Sequence, residues 1–423
     1  LRKAQDVCIG MRVWGFSFFF FLGCAPSYQT DPLPVPVTPT PIEVQQDPFP
    51  SPEQPISQEP PPAPALEPCK GHAYLSNVPF LKGQLHVHSD RSFDAATPVE
   101  DVIAFYAKRG YDFISITDHN HVTVPKEHPS GLLTISGVEL TYNAATCDPP
   151  PRPGYLCAFH AGVLFLNPMR DVTRGRHFNL PFRRQRLEVW QNLLARAEDL
   201  DGVFVLNHPT FHYAIDETQL DELVGRGVRL VEFFNAGVID HDKAGPTVAI
   251  QQAEALWTAM LDRGHPVIAV GGDDAHHFAD AATIRMTGKK PLLGDRVWVM
   301  VRAQRSVEAI REAFIQGDFY VSTGVRLSEL EVSDLNVHLR IDPREGQSYS
   351  TTFVGQGGRI LAQVDGTEAC FPTEKAEGYV RAVVQSDDGE MAWTQAVMLE
   401  SNDARPSPGP IAKATGNMGL STQ

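Results

Sequence analysis

From about residue 80 the chain alternates short apolar runs, rich in β-branched residues, with longer amphipathic stretches. The runs "GQLHVH", "DFISIT", "LLTISGVEL", "AFHAGVLFL", "GVFVLNH", "RLVEFF" and "PVIAVGG" have the length and composition of strands. Between them apolar positions recur at helical spacing. The first helix is marked by Thr97 as N-cap, Pro98 at the first helical position and Glu100 completing a capping box; Val99, Val102, Ile103 and Tyr106 form its apolar stripe. Further helices are predicted near 185–199, 217–225, 247–263 and 306–316. Seven strands with helical crossovers predict a parallel α/β architecture, most simply a seven-stranded (β/α)7 TIM-like barrel. The barrel is expected over residues 70–324. After "GDFYVSTG" the alternating runs continue without crossovers, so residues 325–400 are expected to form a small all-β domain.

Both ends of the chain lack such periodicity. From Met11 the sequence reads "MRVWGFSFFFFLGCAPS", the outline of a signal peptide over residues 1–24. Leu22-Gly23-Cys24 resembles the end of a bacterial lipobox, which makes Cys24 the expected lipidation site. The apolar run is too short to span a bilayer permanently. The expectation is an exported lipoprotein, held on a cell-envelope membrane and facing periplasm or surface. Residues 25–69 are Pro-rich and read as an extended, disordered tether; residues 401–423 read as a disordered tail. Of the six cysteines, Cys69, Cys147, Cys157 and Cys370 remain for an oxidising compartment. "CDPPPRPGYLC" makes Cys147–Cys157 an attractive staple and leaves Cys69–Cys370 as a tie. The formal net charge of −15 argues against a nucleic-acid partner, which needs a basic footprint.

The chemistry lies at the strand ends. His86 and His88 are two apart, a spacing that turns both imidazoles to one face of a strand. Asp118 and His119 close strand two, Glu139 strand three and His208 strand five; His160 lies on strand four, and Asp274 and His276 follow strand seven. The carboxyl ends of barrel strands are where active sites are built. Imidazole and carboxylate together suit Zn, Mn or Fe, and so many donors suit two or three divalent ions rather than one.

The ordered set "LHVHSD…D", "ITDHN", "GVEL", "FHAGV", "NHP" and "GDDAH" resembles the polymerase-and-histidinol-phosphatase (PHP) family of metallohydrolases, whose fold is a distorted barrel of this kind. The resemblance implies nine metal ligands: His86, His88, Asp94, His119, Glu139, His160, His208, Asp274 and His276. It further implies one ion on His86, His88, Glu139 and Asp274, a second on Asp94, His119 and His276, and a third on His160 and His208 with Glu139 bridging. Asp90 rivals Asp94 by position. "GDDAH" stands where "GSDAH" is usual in the family. The stretch from "DRVWVMV" to "GDFYVSTG" resembles the carbaryl-hydrolase-like (CehA/McbA) branch.

Such a centre activates water for hydrolysis of a phosphoester, or equally of a carboxyl ester, carbamate or amide. Asp118 and Asp273 are expected to assist catalysis by orienting imidazoles, and His277, with His121 as its rival, by passing a proton to the leaving group. The Arg-rich stretch "MRDVTRGRHFNLPFRRQR" is expected to overhang the site, with Arg174, Arg176, His177 and Arg183 binding a small-molecule phosphoester or ester. A lipid-anchored metal-binding protein without turnover would use the same ligands.

Overall fold

The computed structural model describes residues 78–399, apart from 127 and 152. The expected signal peptide, Cys24, the tether and the tail lie outside the described residues. Strands β1 (Phe80–Gln84), β2 (Phe113–Ile116), β3 (Leu133–Ala144), β4 (Cys157–Leu164), β5 (Val203–Leu206), β6 (Leu230–Asn235), β7 (Ile268–Gly272), β8 (Trp298–Arg302) and β9 (Phe319–Ser322) come first. Among them lie helices α1 (Val99–Ala107), α2 (Arg186–Asp199), α3 (Glu217–Gly225), α4 (Ala236–His241), α5 (Pro246–Asp262), α6 (Ala281–Met286) and α7 (Val307–Gln316). Then follow β10 (Leu327–Val332), β11 (Asn336–Ile341), β12 (Tyr349–Val354), β13 (Ile360–Asp365), β14 (Glu368–Pro372), β15 (Tyr379–Ser386), β16 (Met391–Trp393) and β17 (Val397–Met398), with no α-helix between them.

The fold is mixed α/β, but the sheet is neither all parallel nor closed. β1–β2–β3 and β5–β6–β7 are parallel sets, whereas β4 runs antiparallel to both β3 and β5. β8 lies antiparallel on the other side of β1. The strand order is β13-β12-β15-β16-β9-β8-β1-β2-β3-β4-β5-β6-β7, an open path in place of the expected barrel. The reason is the connection between β3 and β4. A parallel return needs a packed crossover, usually a helix. The segment "ATCDPPPRPGYL" is too rich in proline to form one, and the Cys147–Cys157 disulfide ties it to the first residue of β4. The chain therefore doubles back. The second expected pair has only Cys370 among the described residues, where it is disulfide-bonded; Cys69 lies outside them.

α1 keeps its predicted face, with Val102, Ile103 and Tyr106 buried, but not its predicted cap. Pro98 itself is the N-cap, in an extended conformation and without a side-chain cap, because the Thr97 carbonyl is engaged by the Asp90 N–H at 2.8 Å. Every residue of β2, β4 and β6 is buried, as continuous apolar runs require.

The C-terminal segment is not set apart from this sheet. β16 pairs with β9 and carries the sheet onward, while β10, β11 and β14 form a separate three-stranded sheet. Trp393 of β16 stacks on Phe234 of β6 at 4.1 Å and donates to Glu254 of α5 at 2.7 Å. The Gln395 amide bonds both the N–H and the C=O of Ala269 in β7, each at 2.9 Å, as a neighbouring strand would. Among the described residues no helix is long and apolar enough to cross a membrane.

Candidate metal centre

β1 starts and stops earlier than expected, so His86 and His88 lie just beyond it, in an extended stretch where Val87 bridges Ala275. The two-residue spacing still aims both rings at one place. His86 Nε2 and His88 Nε2 lie 3.3 and 3.1 Å from Asp274 Oδ1. Glu139 sits within β3 rather than at its end, because β3 runs on to Ala144 in the hairpin with β4. Its fully buried carboxylate is the hub of the cluster, 3.2 Å from His86 Nε2, 2.8 Å from His119 Nδ1, 3.3 Å from His160 Nδ1 and 3.2 Å from His208 Nε2. His160 likewise projects from within β4, in register with Thr141. Asp94 Oδ2 approaches His119 Nε2 at 3.3 Å and His276 Nε2 at 3.5 Å. Its rival Asp90 pairs with Arg91 instead. All nine expected residues therefore meet in one cluster, and the donor atoms of eight of them fall into four overlapping triads: His88, His119 and His276; His86, Glu139 and His208; His86, His88 and Asp274; His119, Glu139 and His160, with Asp94 beside the first. Both His208 and Asp274 hold a left-handed backbone, φ +25° and +52°. Such conformations cost about 1–3 kcal/mol each and persist where surrounding structure imposes them.

The atoms behind the rings decide which nitrogens face inward. Ser92 Oγ donates to Asp118 Oδ1 at 2.9 Å and accepts from the His119 N–H at 3.0 Å, so the His88 Nδ1 beside it at 2.9 Å must be the donor. His86 Nδ1 faces the buried carboxylate of Glu232 at 2.9 and 3.1 Å and donates there. In the neutral ring this turns a lone pair on Nε2 inward, and both Nε2 atoms are buried without a hydrogen-bond partner. Burial disfavours the His86 imidazolium, but Glu232, Asp274 and Glu139 outweigh it and raise this ring well above its usual range, so a cation there would displace a proton. Two such nitrogens converging on carboxylates fit a divalent cation. Gly272 makes room for this support, since a β-carbon there would fall 2.4 Å from Glu232 Oε1 and 2.8 Å from His86 Cβ.

Charges in the cluster are strongly coupled. Burial and the neighbouring His276 and His119 push the His88 imidazole down to about 3. Burial also opposes the His119 imidazolium, but Glu139 and Asp94 outweigh it and raise this ring to about 10. Glu139 resists burial and stays well below the usual carboxylate range because His160, His86 and His119 surround it.

The expected assisting groups divide. Asp118 is fully buried and accepts from Ser89 N, Ser89 Oγ, Ser92 Oγ and Thr123 Oγ1, so it orients His88 through Ser92 rather than directly. Asp273 faces another way, its oxygens taken by Tyr106 Oη and the N–H groups of Asp295, Arg296 and Val297. It anchors the 295–297 loop and orients no imidazole of the cluster, contrary to expectation. His277 lines the cavity over the cluster; its Nδ1 accepts from the Leu292 N–H at 3.0 Å, which places the proton of the neutral ring on Nε2. His121 is not among the cavity-lining residues.

The Arg-rich loop does not line that cavity. Arg174, Arg176 and Arg183 are exposed, and the guanidinium groups of Arg176 and Arg183 turn back to local carbonyls at 3.2 and 2.9 Å. His177 touches the rim only, donating from Nδ1 to the His119 carbonyl at 3.1 Å. The cavity, about 770 Å³, is lined instead by Lys289 and Lys290 along with Phe211, Val238, His241 and Leu292. Sequence reasoning also missed Glu232, Ser92 and Asn207, whose amide holds Glu139 Oε1 at 2.9 Å. Glu232 had a signal, a lone carboxylate inside the apolar run "RLVEFF".

Ser92→Ala is expected to weaken metal binding about 10- to 100-fold while leaving the fold intact, since it frees the His88 ring without removing a ligand. Metal titration calorimetry checks this; an unchanged affinity would mean that the Ser92 contact does not set the ring.

A family model, that of the PHP domain, matches residues 84–323 and so takes in every residue of the cluster. The chain belongs to the PHP domain family. The chain is 32% identical over 139 residues to an error-prone DNA polymerase of Symbiobacterium thermophilum, an alignment covering 29% of this chain and 12% of the polymerase. The chain thus spans a small part of that relative. Among solved structures, a two-domain Bacteroides vulgatus protein containing a predicted PHP-like metal-dependent phosphoesterase is similar over 76% of this chain and 96% of its own, with TM-score 0.39 and 17% identity. An amidohydrolase from Chromobacterium violaceum, with bound sulfate and no metal, is similar over 47% of this chain and 88% of its own, with TM-score 0.29 and 15% identity.

Proposed function

We propose that this PHP domain is a metal-dependent hydrolase acting on small phosphoesters. The observation that carries the reading is the pair of buried Nε2 atoms of His86 and His88, set against Asp274 and Glu139 beside a cavity of substrate size. We assign His86, His88, Glu139 and Asp274 to one cation, Asp94, His119 and His276 to a second, and His160 and His208 with Glu139 to a third. Divalent ions, Zn, Mn or Fe, would supply activated water near neutral pH and neutralise developing charge. Glu232, Ser92 and Asn207 hold the ligand rings and the Glu139 carboxylate in place. His277, with its proton on Nε2 at the cavity wall, is assigned to the leaving oxygen. Lysines among the cavity-lining residues favour an anionic ester. Export and lipid anchoring at Cys24 belong to this proposal and rest on the sequence of residues 11–24.

The test is a panel of aryl phosphate mono- and diesters beside aryl carboxyl and carbamate esters, using the full chain reconstituted with Mn or Zn. Turnover of a phosphate, lost in His86→Ala, is the expected result. Turnover of carbonyl esters alone would move the protein to the carbaryl-hydrolase-like branch. Stoichiometric metal with no turnover would favour a metal-binding protein.

A further inference from the structure

The cavity has two chemically different ends. Both carboxylates that line it, Asp94 and Asp274, belong to the metal cluster. Away from the cluster its polar lining is His241, His277 and two cations, Lys289 and Lys290, in a chain whose formal net charge is −15. His241 Nδ1 lies 2.9 Å from the Gly237 carbonyl, and its Nε2 lies 3.0 Å from the Lys290 carbonyl. Both ring nitrogens are thus occupied by backbone carbonyls, which fixes the ring in the wall. Lys290 Nζ donates to the Asp240 carbonyl, so its charge stays at the wall while the hydrogen bond fixes its position. Phe211, Val238, Ile284 and Leu292 supply apolar lining.

An orthophosphate monoester needs only the cluster end. Two lysines at the same cavity, with no carboxylate beyond the cluster among its described lining residues, suit a second anionic group, and the apolar residues suit a hydrocarbon body. We propose that the substrate is an amphiphilic dianion: an organic phosphoester whose apolar body carries a second anionic group, such as a carboxylate, received by Lys289 and Lys290. This rests on the phosphoesterase reading and narrows its substrate class. It also gives the lysines the role that the Arg-rich loop was expected to fill.

The test reads binding, so that it does not depend on turnover. A homologous series of ω-carboxyalkylphosphonates is compared by calorimetry with plain alkylphosphonates of equal length, on the metal-loaded full chain. At the best-fitting length the carboxylate is expected to tighten binding about tenfold or more, the worth of one charge-assisted contact. In Lys289→Glu that ratio is expected to fall to about one or invert; because the ratio is taken within one protein, differences in loading or folding cancel. A wild-type ratio near one at every length overturns the inference, and so does a ratio that survives Lys289→Glu. If aryl phosphates are hydrolysed while the ratio stays near one, only this inference falls. If neither series binds and no phosphate is hydrolysed, the phosphoesterase reading falls with it.

Discussion

Asp274→Ala is expected to strip the centre of metal and lower kcat/KM by about 10³-fold or more, ~4 kcal/mol of transition-state stabilisation. The carboxylate is the point on which the Nε2 atoms of His86 and His88 converge, at 3.3 and 3.1 Å, and it also takes the Asn235 amide at 3.4 Å. Without it, the Nε2 atoms of both rings face Glu139 alone and one anionic donor is gone. The left-handed φ at this position suits Asp better than Ala, so loss of metal has to be separated from loss of fold. Metal per chain after gel filtration and kcat/KM on the best ester are the measurements, with circular dichroism as the check on folding. Full metal content with unchanged turnover would sink the assignment of this carboxylate.

Gly83→Ala is expected to cost about 3 kcal/mol or more of stability, enough to leave much of the chain insoluble. Gly83 of β1 stands directly across the parallel ladder from Phe113 of β2, and the fully buried Phe113 ring occupies the space a side chain would need. An added β-carbon would lie 1.9 Å from the ring's ζ carbon and 2.1 and 2.4 Å from its two ε carbons. A ring locked in a core cannot give way by such an amount. Thermal melting of the variant measures the loss, and a second substitution, Phe113→Ala, should recover part of it in a double-mutant cycle. If both single variants lose stability and the double loses their sum, the clash is not the cause.

The meeting of these imidazoles and carboxylates was legible because it depends on residue type and on local spacing. His86 and His88 turn together in any extended segment, whether or not it is counted as strand. Strand direction was less legible, although its signal lay in the Pro-rich connection from β3 to β4, where no helix could form. The consequence is local: Glu139 and His160 project from within a hairpin, not from the ends of parallel strands. Asp273 and Asp274 are adjacent and alike in sequence, yet one carboxylate serves the 295–297 loop and the other the cluster. Only the backbone path, left-handed at Asp274, separates them. The arginines misled because a charge run shows composition, not which wall of a cavity it faces. Glu232 escaped notice because its partner, His86, is remote in sequence.

The amide of Gln395 occupies the place of a strand beside β7, the strand that leads into Asp274 and His276. The family-matched segment ends at residue 323, well before that glutamine and before β16. Cut out alone, the segment would carry raw β7 and β9 edges, and open edges recruit strands from other molecules. The PHP domain of this protein is therefore not portable: moved into a fusion or trimmed to its family boundary, it would trade a finished sheet for self-association.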